Sequence, residues 1–262
     1  VIHILVTGAS GRLGRAAVRH LLPLVPRVTV HALVRRPDAA PLPAGVDVRV
    51  ADYDDPASLF AAFRGIDRLL FVSSPVLDPA QRTRQHAAVL DAAAAIEHIA
   101  YTSVQGADHD PAHAATEAAL RERGDGATIL RNGFYTEPFV ARAIEEARHG
   151  TIVSATASRP LATASIDDLA EAAARAVATI PECRSWELRG PAWTYDELAD
   201  ELGARLSQPV RHRDAPADEV GALAPLHLAA AAGVLRTETP DLEHLLQRRP
   251  RGVAEVVAEA LG

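Results

Sequence analysis

Gly8, Gly11 and Gly14 follow an apolar, β-branched run that ends at Thr7, and Leu13, Ala16, Ala17, Leu21 and Leu24 then recur at helical spacing. A glycine-rich turn between a first strand and a first helix can hold a pyrophosphate. Gly8 permits the tight turn, Gly11 lets backbone approach phosphate, and Gly14 lets the helix pack closely on the strand. The helix N-terminus then offers free N–H groups and a partial positive charge to the anion. Thr7, Ser10, Arg12 and Leu13 share this loop and are expected with the glycines in the cofactor-binding set. A merely structural turn can use three glycines too. Their place after a strand and before an amphipathic helix is what carries the dinucleotide reading.

The end of the second strand selects the dinucleotide. Val28 to Val34 runs into Arg35-Arg36-Pro37 with no carboxylate, at the place, about 20 residues on, where an acidic side chain would bind a ribose 2′-hydroxyl. A guanidinium at Arg35 matches a 2′-phosphate, so NADPH is expected, with Arg12 as a second positive contact. Asp52 and Tyr53, after the third strand, are placed to approach the adenine. Asp52 serves equally as a turn-initiating residue ahead of Asp54-Asp55-Pro56.

Other polar and aromatic residues gather where later strands end. Ser73 and Ser74 close the fourth strand, Thr102 and Ser103 the fifth, and Asn132, Phe134 and Tyr135 follow the sixth. Carboxyl ends of adjacent parallel strands line the ligand groove. Ser73 and Ser74 are therefore expected on ribose or phosphate, Ser103 on the nicotinamide side, and Phe134 and Tyr135 against the nicotinamide and a flat acceptor. Hydroxyls that satisfy loop backbone, and core aromatics, would leave the same trace. His20, His86 and His98 fall within helix or strand patterns and read as structural, and Trp186 and Trp193 as packing for a second lobe.

The elements that must hold these residues follow from the apolar pattern. Strands are expected near 1–7, 27–34, 46–50, 68–73, 97–103 and 127–132, with helices near 12–22, 56–64, 79–95 and 112–123. Alternation of this kind, with strands rich in Val, Ile and Leu, predicts an α/β fold: a doubly wound, Rossmann-like parallel sheet covered on both faces. After about 133 the rhythm changes to a short strand at 151–155, a helix at 167–179, a strand near 185–189, a helix at 194–206, a run near 210–213 and three helical stretches. The expected organisation is an NADP-binding domain over 1–133. Residues 134–262 would form a small, interleaved α/β lobe that binds substrate and returns some segments to the sheet.

Composition narrows the partners. A chain of 262 residues with 48% hydrophobic content can bury a full core. A net charge of −7 without a basic tract excludes nucleic acid as the main partner. The single cysteine, Cys183, excludes an intrachain disulfide and a cysteine-based zinc cluster. The opening apolar stretch is too short to read as a signal peptide. The run from Val220 to Leu235, which holds Pro225 and His227, falls short of a membrane span. A cytoplasmic protein without a membrane partner is expected, with a homodimer left open.

Taken in order, Thr7-Gly-Ala-Ser-Gly-Arg-Leu-Gly14, Val34-Arg-Arg-Pro37, Ala51-Asp-Tyr53, Leu69-Leu-Phe-Val-Ser-Ser74, Ile99-Ala-Tyr-Thr-Ser103 and Leu130-Arg-Asn-Gly-Phe-Tyr135 resemble the NmrA-like atypical short-chain dehydrogenases. Within that family the likeness is to the type 2 quinone oxidoreductases and triphenylmethane reductases. It continues to Ala192-Trp-Thr-Tyr-Asp-Glu-Leu198 and thins after about 210, where this chain looks shorter.

Most short-chain dehydrogenases use a Tyr-x-x-x-Lys pair, with the lysine depressing the tyrosine's pKa. This chain has no lysine, since all 27 of its Lys and Arg residues are arginine. In Asp110-Pro-Ala-His-Ala-Ala-Thr-Glu117 the two positions hold His113 and Glu117, four apart on one helical face, as in the reductases it resembles. The resemblance implies direct hydride transfer from NADPH, without flavin, to a quinone or similar electron-poor conjugated acceptor. Asp110 as N-cap and Pro111 at the first helical position put His113 in the first turn, where the helix dipole disfavours imidazolium. A neutral His113 would orient or hydrogen-bond the acceptor oxygen, with Asn132 or Tyr135 as co-donors. The plain alternative is a surface His–Glu pair. A metal on His109, His113 and Glu117 is disfavoured because Pro111 turns His109 off that face. Two other functions are weighed: an NADP(H)-binding redox regulator without catalysis, and an isomerase with tightly held NAD, which Arg35 weakens.

Overall fold

The computed structural model describes residues 1–24, 27–36, 42–179 and 182–262. In chain order the elements are β1 (Ile2–Val6), α1 (Arg12–Leu21), β2 (Val28–Val34), β3 (Asp47–Val50), α2 (Pro56–Ala62), β4 (Arg68–Val72), α3 (Pro79–Ala92), β5 (His98–Val104), α4 (Pro111–Glu122) and β6 (Ala127–Asn132). They continue with α5 (Glu137–Ala147), β7 (Thr151–Ser154), β8 (Leu161–Ala162), α6 (Ile166–Thr179), β9 (Ser185–Leu188), β10 (Ala192–Trp193), α7 (Tyr195–Leu206), β11 (Arg211–Asp214), α8 (Ala224–Ala231), α9 (Asp241–Leu246) and α10 (Val253–Leu261).

Strands that are apolar on both faces can only be satisfied with cover above and below. The main sheet has the order β3-β2-β1-β4-β5-β6-β9, and neighbours from β3 to β6 pair in parallel. Sequence order reverses on either side of β1, which is the switch point where an open α/β sheet binds ligands at its carboxyl ends. On one face Leu5, Leu33, Leu69, Phe71, Ile99, Tyr101 and Ile129 of the strands pack with Leu59, Val89 and Leu120 of α2, α3 and α4. The Rossmann-like α/β sheet expected from the sequence is present.

The chain forms two compact units. The first comprises Val1–Asn132 and Leu169–Glu187, the second Gly133–Asp168 and Leu188–Gly262. In the second, Phe139, Val140, Ile152, Leu161, Trp193, Tyr195, Leu198 and Val257 form the core. Its strands pair as β7 with β11, parallel, and β8 with β10, antiparallel.

Two differences from expectation have physical causes. Trp186 belongs to the first unit, not to the second lobe, because β9 adds to the main sheet beside β6. Helix α5 is not among the expected elements: its start, Thr136-Glu137-Pro138, lacks the Asp-Pro signature of α2, α3 and α4 and makes no side-chain cap bond. Its buried residues Phe139, Val140, Ala143 and Ala147 recur at helical spacing.

Candidate active site

Glycine does what the loop after β1 requires. Gly8 sits at φ +58°, and a Cβ on Gly14 would overlap the Gly8 carbonyl, 2.8 Å from its carbon and 3.0 Å from Ala9 Cα. Helix α1 therefore enters against the loop at a distance only glycine allows. Gly11 is its N-cap, with no side-chain cap and no acidic residue in the first turn. The first intrahelical bond runs from Arg15 N–H to Gly11 O, 3.0 Å. The N–H groups of Arg12, Leu13 and Gly14 are thus open to an anion. Thr7 lies beneath the turn, its Oγ1 accepting from Val72 N–H at 2.9 Å, so its hydroxyl ties β1 to β4. Ser10 is half-buried, Leu13 is buried, and Arg12 is exposed.

Arg35 and Arg36 are exposed just past β2. Pro37 of the same motif lies outside the described residues. Arg12 and Arg35 make no ion pair among the described residues, so both guanidinium groups are available to phosphate. Asp52 acts as a turn residue, its Oδ1 accepting from Asp54 N–H at 3.1 Å. Tyr53 donates its hydroxyl to Val72 O at 2.8 Å, and burial pushes its phenol upward. The β3–α2 turn is in this way fastened to the end of β4.

The serines after β4 differ from each other. Ser73 is half-buried, and its N–H donates to Thr102 Oγ1 at 3.1 Å. Ser74 is buried, with its hydroxyl donated to Gln85 Oε1 and its N–H donated to His86 Nε2 at 3.0 Å. Its hydroxyl proton is spent within the protein.

Helix α4 begins as expected, with Asp110 Oδ1 accepting from the N–H groups of Ala112 and His113 at 3.0 and 3.1 Å. His113 and Glu117 do not form a surface pair, since they are only 5% and 0% exposed. Glu117 takes hydrogen bonds from Ser103 Oγ at 2.6 Å, from Arg131 at 2.6 and 2.9 Å, and from Arg121. Burial acts to raise its pKa, but these bonds from Arg131 and Ser103 outweigh it and hold the carboxyl below its usual range. Ser103 therefore spends its proton on Glu117, 3.5 Å from His113 Nδ1. The imidazole of His113 instead meets the Tyr101 hydroxyl, 2.7 Å from Nδ1. Burial is the main cause that lowers its pKa, so it is neutral at pH 7.

At the ends of β5 and β6 stand two side-chain amides. Asn132 is 5% exposed and Gln105 9%, and the side-chain oxygen of each is buried without a hydrogen-bond partner. Their backbones are joined by Gln105 N–H to Asn132 O at 2.8 Å. Buried acceptors are rarely left unpaired, and at the carboxyl end of this sheet a ligand's N–H or O–H would satisfy them. Sequence reading missed Gln105, Tyr101 and Arg131. Only Arg131 left a signal, as a charge in an otherwise apolar strand. Phe134 and Tyr135 belong to the second unit, where Phe134 packs against the core and Tyr135 pairs by backbone with Ala164.

The second unit also holds a serine–histidine–aspartate line. Ser154 Oγ is 2.9 Å from His212 Nε2, and His212 Nδ1 is 2.8 Å from Asp196 Oδ1. Ser154 is wholly buried and also donates to Asp214. No substrate carbonyl can reach it, which excludes a hydrolytic nucleophile there.

Comparison with known proteins agrees with this geometry. Residues 8–179 match the model of an NAD(P)H-binding family. The chain is 38% identical over 222 residues to quinone oxidoreductase 2 of Escherichia coli, covering 80% of this chain and 77% of that protein. Among solved structures, the Escherichia coli NADPH-dependent quinone oxidoreductase in complex with NADPH aligns at a TM-score of 0.86 and 32% identity, over 99% of this chain and 100% of that one. Triphenylmethane reductase of Citrobacter sp., complexed with NADP(H), aligns at 0.89 and 32%, with the same coverage. The likeness that thins in sequence after about 210 thus continues in structure. With half of its length and more matched by the family model, and the fold shared nearly from end to end with these reductases, the chain belongs to that NAD(P)H-binding family of oxidoreductases.

Proposed function

We propose that this protein reduces quinones and similarly electron-poor conjugated acceptors by direct hydride transfer from NADPH, without flavin. That it is an NAD(P)H-dependent oxidoreductase follows from its family and relatives. The observation that carries the acceptor class is the pair on α4. A neutral, buried His113 and a Glu117 already neutralised by arginine stand in a chain that has no lysine. Hydride addition to a simple ketone leaves a strongly basic alkoxide, which needs a proton delivered as it forms. The oxyanion of a hydroquinone is far less basic, and a hydrogen-bond donor suffices.

NADPH, when bound, supplies the hydride. The open N–H groups of Arg12, Leu13 and Gly14 would hold its pyrophosphate, Arg35 its 2′-phosphate, and the orphaned oxygens of Asn132 and Gln105 suit donors such as the nicotinamide carboxamide. His113 donates a hydrogen bond to the acceptor oxygen.

The test is steady-state oxidation of NADPH by the purified protein with benzoquinone, naphthoquinone and a simple ketone, beside an absorbance spectrum of the protein alone. Turnover with quinones, none with the ketone, and no flavin band are expected. A bound flavin, or faster reduction of the ketone, would overturn the mechanism. NADPH binding without turnover of any quinone would turn the reading to a regulator.

A further inference from the structure

Hydrogen-bond bookkeeping around His113 determines which of its ring nitrogens carries the proton. A backbone N–H can only donate, so His86 Nε2, 3.0 Å from Ser74 N, is an acceptor. Burial holds His86 down to about 3, so the ring is neutral and its one proton sits on Nδ1. That proton points to Thr116 Oγ1 at 2.9 Å, whose own hydroxyl donates to Ala112 O at 2.7 Å. Tyr101 is fully buried, and burial pushes its phenol upward, so its hydroxyl keeps its proton and must donate it. Three candidate acceptors lie near it: His86 Nδ1 at 3.4 Å, already a donor; the Thr116 hydroxyl, whose oxygen already receives the His86 proton; and His113 Nδ1, at 2.7 Å and with no other donor to accept from. The proton goes to His113. His113 Nδ1 is then an acceptor, and the single proton of the neutral imidazole is on Nε2, which bonds to no described residue.

We propose that Tyr101 is a positioning residue that locks His113 in the Nε2–H tautomer, so that the imidazole presents a hydrogen-bond donor to the acceptor oxygen that gains charge on hydride uptake. This rests on the quinone-reductase reading above. In that step a C–H bond of the dihydronicotinamide would break and its hydride pass with the electron pair to a carbon of the acceptor, oxidising the cofactor to NADP+. The conjugated oxygen becomes an anion stabilised by Nε2–H and takes a proton from water. A quinone adduct then reaches the hydroquinone by loss of its ring-carbon proton to water and protonation of the second oxygen. With the opposite tautomer, Nε2 would present a lone pair to a developing anion, and the interaction would change sign. The remaining charged groups facing the ring are Asp110 and Glu117 of its own helix and Arg82 from α3.

The test combines long-range nitrogen–proton NMR of the imidazole groups with kinetics of Tyr101→Phe, which keeps the ring and removes only the donor. In the parent, His113 should show a protonated Nε2 and a bare, hydrogen-bonded Nδ1. In Tyr101→Phe the Nδ1 signal should move and the Nδ1–H form become populated. With benzoquinone as acceptor, kcat should fall about tenfold and KM for NADPH stay unchanged. His113→Gln, whose amide nitrogen replaces Nε2–H, should be slower than the parent but indifferent to a second change at Tyr101. A parent His113 protonated on Nδ1 overturns the lock. So does Tyr101→Phe with unaltered kcat, or with an equal loss in the His113→Gln background, which would mark a merely structural role. An Nε2–H signal in a protein that reduces no quinone would sink the functional reading and leave the lock standing.

Discussion

Glu117→Gln asks whether the carboxylate in the position of the usual lysine acts in structure or in chemistry. Its side chain is wholly buried and bonded by Arg131 at 2.6 and 2.9 Å, by Ser103 at 2.6 Å and by Arg121. Removing one partner of a buried ion pair costs about 3–5 kcal/mol. Two features reduce that here. The Arg121 side chain is half exposed and can turn to water, and Arg131 keeps Asp108 at 3.0 Å and Glu187 at 3.2 Å. Glutamine fills the same space but must turn an –NH2 toward a guanidinium. We expect a loss of about 2–3 kcal/mol, or about 4–12 °C in Tm. The Glu117 carboxyl is held below its usual range. Its contribution is therefore fully present above the unfolded value of about 4.3 and lost only as pH falls through the folded value, so the difference should be constant between about pH 6 and 8. Thermal unfolding at several pH values, with turnover measured on the folded fraction at saturating NADPH, gives both quantities. Turnover should fall less than about tenfold. A variant as stable as the parent but slower by about a hundredfold or more would refute the structural assignment and place Glu117 in the reaction.

Three further outcomes follow from the same geometry. The parent should prefer NADPH to NADH by at least about tenfold, since one charge-assisted contact is worth about 1.5–3 kcal/mol; Arg35→Ala should erase most of that in a fluorescence titration, and equal affinity of the parent for both cofactors would refute the assignment. Gly14→Ala places a Cβ 2.8 Å from Gly8 C and should cost about 1–3 kcal/mol of stability and about tenfold or more in NADPH affinity; unaltered binding in a titration would remove the argument from close approach. His86 and His227 are held down, mainly by burial, to about 3 and about 4, while their unfolded counterparts protonate near about 6.5. The unfolded chain then binds more protons below that pH, so stability should fall as pH drops from about 6.5 toward the folded values, by up to about 1.4 kcal/mol per pH unit for each histidine. His227→Gln should flatten the slope of Tm against pH, and parallel slopes would refute the assignment.

The main sheet was legible because its signals are local. Val28–Val34 and His98–Val104 are runs rich in β-branched and apolar residues that do not alternate, as strands buried on both faces require, and Asp55, Asp78 and Asp110 each precede a proline and a helix. The second unit was less legible. Strands β8 and β10 are two residues each, too short to carry a period. Helix α5 lacks the Asp-Pro start of α2, α3 and α4 and has no side-chain cap, and β9 leaves its sequence neighbours to extend the sheet of the first unit.

The candidate site divides along the same line. The glycine loop and Arg35 are marked by residue type and spacing within short stretches of chain, so sequence alone is enough to nominate them as candidates. The surroundings of His113 are assembled from β5, α3 and α4, by contacts between residues 12 to 30 positions apart. Tyr101 reads from sequence as one more apolar strand residue, and Ser74 and Ser103 read as ligand hydroxyls. Only the fold reveals that the protons of Ser74 and Ser103 go to Gln85 and Glu117 and that the Tyr101 hydroxyl lies 2.7 Å from His113 Nδ1, to which the proposal above assigns its proton. A buried polar group must find a partner or carry an energetic penalty, and on the tautomer proposed above His113 Nε2–H is a donor with no partner among the described residues. The same accounting isolates the amide oxygens of Asn132 and Gln105. Other buried atoms are left without a hydrogen-bond partner too, Arg68 Nε and Arg123 Nε among them. What sets Asn132 and Gln105 apart is their place at the carboxyl ends of β6 and β5, where, on the function proposed above, their oxygens and His113 Nε2–H would meet the ligand.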